Sequence, residues 1–116
     1  MASYIGVLNS AARTTNESKV INVWEKYTAA HIVVDITAGN SPLLVSVKGK
    51  DSVSGKTYVI LSSLLQSNSG TTVLKIAPEY TAAANVAKDY LPYTTQIDVS
   101  ISGGTTATYS LGVSLI

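Results

Sequence analysis

The chain has 116 residues, a formal net charge of +1 and no cysteine, with 46% apolar and 13% charged residues. That length suits one domain around a single hydrophobic core. The missing cysteine excludes disulfides, thiolate metal sites and thiol catalysis, and the near-zero charge leaves no electrostatic footprint for nucleic acid or an anionic membrane.

The charged share is about half the usual value for a soluble domain. Fifteen Ser and thirteen Thr fill the gap, so the polar surface is mostly hydroxyl. The first ten residues lack the basic start and apolar length of a secretory signal. Apolar runs break within about five residues, far short of the ~20 of a spanning helix, so a soluble protein is expected.

In chain order, residues 4–8 and 20–24 read as weak strands, and the polar stretch 9–19 as an arm or loop. The domain division expected is an N-terminal arm or loosely packed segment over 1–19 and a single β-sandwich domain over 20–116. Residues 31–37 alternate with period two: Ile32, Val34 and Ile36 share one face, with Asp35 and Thr37 opposite. The turn formers Ala38-Gly39-Asn40-Ser41-Pro42 close that strand. Residues 43–50 follow with Leu43, Val45 and Val47 inward, and 51–56, including Gly55, form a hairpin loop to a partner strand over 57–62. A polar turn over 66–70, ending on Gly70, leads to a strand over 71–76.

The rhythm breaks at residues 81–90, where Ala82, Ala83, Ala84 and Ala87 suit a short helix bracketed by Pro78 and Pro92. An irregular loop is the alternative. In 96–102, Ile97, Val99 and Ile101 alternate with Asp98, Ser100 and Ser102. Gly103-Gly104 then suits a tight hairpin turn, and Ala107, Tyr109, Leu111, Val113 and Leu115 alternate to the end. Six to eight short strands with at most one short helix near 81–90 predict an all-β fold, an antiparallel β-sandwich or barrel.

Catalytic signals are sparse, and neither an enzyme nor a cofactor or metal is expected. His31 is the single histidine and reads as an ordinary strand-edge residue. The seven carboxylates lack metal-ligand spacing. Asp35 and Asp98 sit on outward faces and read as solvated charges rather than a glycosidase pair, since neither has an apolar pocket to raise its pKa. Gly55-Lys56-Thr57 ends like a phosphate-binding loop, but position 50 is Lys and a strand follows. Asn16-Glu17-Ser18 is a formal glycosylation sequon without a secretion signal. Tyr58 and Tyr109 continue apolar strand faces, which predicts core packing over nucleic-acid stacking. Trp24, beside Glu25-Lys26-Tyr27, is either a core anchor or an exposed anchor for a partner.

Several blocks carry a family likeness in order along the chain. These are Ser10-Ala11-Ala12-Arg13-Thr14, Gly49-Lys50-Asp51-Ser52-Val53-Ser54-Gly55-Lys56-Thr57-Tyr58 and Thr72-Val73-Leu74-Lys75-Ile76-Ala77-Pro78. Thr81-Ala82-Ala83-Ala84-Asn85, Leu91-Pro92 and the ending Tyr109-Ser110-Leu111-Gly112-Val113-Ser114-Leu115-Ile116 continue the series. Over roughly residues 10–116 the chain resembles small virion structural proteins of tailed bacteriophages. After Leu91-Pro92 it has Tyr93-Thr94-Thr95-Gln96, where that family often has an aromatic and a basic residue.

The resemblance implies a virion component made in the host cytoplasm, with a capsid decoration (cement) protein as the preferred role. Its implied partners are the major capsid protein or other virion proteins, with a homo-oligomer, a trimer first, and neither nucleic acid nor membrane. An arm over 2–19 would lie across neighbouring subunits, with Arg13, Trp24 and Tyr27 as partner contacts. The alternatives are a tail or head–tail connector subunit, and a carbohydrate-binding module that uses exposed Tyr and Trp.

Overall fold

The computed structural model describes residues 3–23, 27–39, 42–63, 69–101 and 106–116. The strands are β1 (Ser3–Arg13), β2 (Glu17–Asn22), β3 (Ala30–Gly39), β4 (Leu43–Lys50), β5 (Thr57–Ser62), β6 (Gly70–Ile76), β7 (Val86–Ala87), β8 (Thr94–Ile101) and β9 (Ala107–Leu115). They form a five-stranded sheet in the order β1-β9-β3-β6-β7 and a four-stranded sheet in the order β2-β8-β4-β5. All pairings are antiparallel except β6 with β7. The protein is an all-β sandwich.

The core follows from period-two alternation. β3 buries Ala30, Ile32, Val34 and Ile36, and β4 buries Leu43, Val45 and Val47. Tyr109, Leu111, Val113 and Leu115 of β9 and Ile97 and Val99 of β8 meet them between the sheets. Each buried aliphatic side chain contributes about 1.5–3 kcal/mol relative to exposure, so this one layer dominates the stability.

Alternation does not say which sheet a strand joins. β8 pairs with β2 and β4, whereas β9 pairs with β1 and β3. The Gly103-Gly104 hairpin is therefore corrected: the chain passes from one sheet to the other between β8 and β9, although Gly103 and Gly104 themselves lie outside the described residues. Five residues connect the two strands, enough to bridge the ~10 Å between packed sheets. The β1–β2 and β3–β4 connections change sheets in the same way. The β4–β5 pair is a hairpin as expected, with a register shift at Val47/Lys48.

The arm is a second correction. β1 runs through Arg13 and pairs with β9 from Ser3 to Arg13, burying Leu8, and β2 begins at Glu17. Register shifts between Gly6 and Leu8 and between Leu8 and Ala11 break the period-two signal there. An edge strand also needs fewer apolar residues, because it covers less core.

Residues 81–90 contain no helix. Ala83 and Val86 exchange backbone hydrogen bonds at 3.1 Å around Asn85, whose φ is 60°, and β7 lies along β6. The irregular alternative holds, because ten residues gain too little from propensity to form a helix without an apolar stripe to bury.

Gly39 ends β3 with φ of 100°, and a Cβ there would meet the Thr106 carbonyl oxygen at 2.3 Å. Pro42 precedes β4, Gly70 opens β6, Pro78 follows β6 and Pro92 precedes β8.

Candidate functional site

The groove at one end of the four-stranded sheet is lined by Lys50, Asp51, Ser52, Tyr58, Pro92, Tyr93 and Thr94; it is open to solvent, with a volume of about 620 Å³. It lies where β4 turns into β5 and where β8 begins. Tyr58 and Tyr93 leave 55% and 61% of their surface exposed, so both rings face solvent. The expected core role for Tyr58 is thus corrected. Tyr109 does occupy the core.

The register explains the position of Tyr58. It stands opposite Gly49, and a Cβ at Gly49 would fall 2.2 Å from Tyr58 Cζ. The ring thus occupies space left by the missing side chain. The same device recurs on the other sheet, where a Cβ at Gly112 would fall 2.4 Å from the Tyr4 hydroxyl. In both places an aromatic ring covers a glycine in the neighbouring strand.

Both walls of the groove are tied down. On the hairpin side, the Asp51 carboxylate accepts from the Ser54 hydroxyl at 2.7 Å, the Ser54 amide at 3.1 Å and the Val53 amide at 3.4 Å. These hydrogen bonds, led by the Ser54 hydroxyl, hold its pKa below the ordinary carboxylate value. The Gly55 amide donates to the Asp51 carbonyl at 2.8 Å, and Gly55 takes a φ of 75° to close the turn. On the other side, the Thr95 hydroxyl donates to the Pro92 carbonyl at 2.9 Å and the Val23 amide to the Tyr93 carbonyl at 2.7 Å. Among the described residues, the Lys50 ammonium and the Tyr58 and Tyr93 hydroxyls make no hydrogen bond within the protein.

The residues proposed from sequence as partner contacts do not gather here. Arg13 lies towards the opposite end, where its guanidinium turns onto Tyr109. Tyr27 is 6% exposed and belongs to the core, which corrects its assignment as a contact. Trp24 lies outside the described residues. The signal for Tyr58 was present in the sequence: Tyr58-Val59-Ile60-Leu61 is an unbroken apolar run, and a strand cannot turn four consecutive residues inward. Tyr93, an aromatic directly after Pro92, was the second signal.

Asp35 and Asp98 belong to different sheets and both face outward, so the sandwich separates them. Asp35 accepts from Thr71 at 3.0 Å. Asp98 pairs with Lys48 at 2.7 Å and accepts from Ser18 and Gln96. His31 Nε2 lies 3.0 Å from the Tyr80 hydroxyl on the outer face of β3.

Comparison with protein-family models, with curated proteins and with solved structures found no match.

Proposed function

We propose that this chain is a non-enzymatic virion structural protein, and that it serves as a capsid decoration protein stabilising a phage head. The observation that carries this reading is the open edge of β1. It is an eleven-residue strand at the margin of its sheet with a single charged residue, Arg13. That charge is folded back onto Tyr109 instead of guarding the edge.

Sheet proteins ordinarily blunt a long edge with charge, proline or irregularity, because unpaired backbone groups template further strands. The register shifts near Leu8 give β1 partial protection, but Ser3–Gly6 pairs regularly with β9 and carries no charge. β2, at the margin of the other sheet, is a second edge, with Val20 half exposed between its charged residues Glu17 and Lys19 and the end of the strand. Such a wall suits a subunit that packs sideways against a capsid lattice or another copy. Many copies on a lattice would then hold through avidity even where each contact is modest. The implied partners are the major capsid protein and further copies of the chain.

The test uses particles lacking the protein, rebound with purified chain. Gly6→Lys with Ser10→Lys places two charges on exposed positions of the β1 edge, the first within its regularly paired stretch. The double variant should fold normally and bind particles at least tenfold more weakly. Equal binding of both proteins would remove this edge from the attachment surface.

A further inference from the structure

We propose that the groove between the β4–β5 hairpin and residues 92–94 is a carbohydrate site, in which a neutral pyranose stacks on Tyr58 and Tyr93. The inference does not depend on the virion reading, because it concerns a different end of the sandwich.

Three features select the ligand class. First, the apolar surface consists of two exposed tyrosine rings and Pro92, with no aliphatic floor for a peptide side chain. A sugar ring presents slightly positive C–H groups on one face, which suit the negative face of an aromatic ring. Its rim of hydroxyls then needs donors and acceptors in the same plane. The Tyr58 and Tyr93 hydroxyls, Ser52, Thr94 and the Lys50 ammonium supply them.

Second, the charge is balanced. Lys50 is the one cation of the lining and Asp51 the one carboxylate, and Asp51 is already engaged by Ser54 and Val53. A single-stranded nucleic acid needs a positive track along its phosphates beside the aromatic platform, and this lining has no net positive charge. A neutral, hydroxyl-rich ligand fits instead.

Third, the groove is built before any ligand arrives. Its volume falls within the ordinary range for small-molecule sites. The Asp51 turn holds one wall and the Thr95 and Val23 hydrogen bonds hold the other. Gly49 leaves the space that seats the Tyr58 ring over the strand. Rigid aromatic platforms lose little conformational entropy on binding.

The experiment is a glycan array probed with the full chain, followed by calorimetric titration of the best-bound neutral oligosaccharide. Tyr58→Ala and Tyr93→Ala should each weaken binding about tenfold, the loss expected for one stacking contact. Gly49→Ala, which displaces the Tyr58 ring without removing it, should weaken binding several-fold. Tyr93 makes no side-chain hydrogen bond among the described residues, so its variant should fold normally and keeps the test decisive. Failure to bind any array glycan above background would overturn the proposal. So would binding unchanged in both tyrosine variants, or capture of a single-stranded oligonucleotide by these residues in place of sugar.

Discussion

The guanidinium of Arg13 lies 4.7 Å from the ring centroid of Tyr109, and its Nη1 donates to the Tyr109 carbonyl at 2.7 Å. The same head group donates to the carbonyls of Asn9 and Ala11. One side chain thus fastens the end of β1 to β9 and covers a buried ring. Arg13→Ala is expected to cost about 1–3 kcal/mol, combining a part-desolvated cation–π contact with charged hydrogen bonds. Urea denaturation checks this, and an unchanged midpoint would contradict it. Removal of residues 2–19 should abolish cooperative unfolding, since it strips β1 from β9, takes Leu8 out of the core and uncovers Tyr109.

Tyr109 has a second consequence. Its hydroxyl is buried and has no hydrogen-bond partner among the described residues. A buried unsatisfied group costs about 1–3 kcal/mol, so Tyr109→Phe should raise stability by roughly 1 kcal/mol. Burial raises the phenol pKa, with Glu17 adding to the rise and Arg13 opposing it. A raised folded value means that stability is intact below the unfolded pKa near 10 and falls as pH rises through the folded value. Tyr109→Phe should lose that part of the alkaline decline. Parallel pH–stability curves for the two proteins would contradict the assignment.

Gly39 joins a left-handed backbone to a close approach. Its φ is 100° and a Cβ would meet the Thr106 carbonyl at 2.3 Å. Backbone rather than a flexible side chain stands in the way, so relief requires movement of the β3–β9 pair. Gly39→Ala should cost about 2 kcal/mol or more, read as a lowered thermal midpoint. Gly112→Ala meets only the far end of the exposed Tyr4 side chain and should cost far less.

The contrast between these glycines shows what was legible in the sequence. Strand positions and inward faces were readable wherever alternation is strict, as in Ile32-Val33-Val34-Asp35-Ile36 and Ile97-Asp98-Val99. Sheet membership was not, because an alternating pair looks the same whether its turn folds back within one sheet or crosses to the other. β1 was hidden for a different reason: its register shifts interrupt the period, and its residues past Leu8 cover little core. The groove was half visible. Tyr58 read as a core residue and Tyr93 only as a departure from the family pattern, and the Gly49–Tyr58 register and the Pro92 turn bring them to one cavity.

Asp98 contributes to the acid limb. Partial burial acts to raise its pKa, but hydrogen bonds from Lys48, Ser18 and Gln96, together with the Lys48 charge, outweigh burial and leave it lowered. A depressed folded value contributes stability above the unfolded pKa near 3.9, lost as pH falls through the folded value. Asp98→Asn should cost about 1 kcal/mol at pH 7, a modest figure because the pair is partly solvated. The difference from the native chain should shrink as pH falls through the lowered folded value and close once the folded carboxyl is protonated. A gap that persists at low pH would show that the carboxylate charge is not what stabilises this face.

The role proposed for this sandwich is that of a building block in a particle. Quantitative mass spectrometry of purified virions, referenced to the major capsid protein and paired with imaging of the intact particle, tests it most directly. The account predicts hundreds of copies per particle distributed over the head shell. Absence of the chain from washed particles, or a handful of copies confined to the tail, would contradict it.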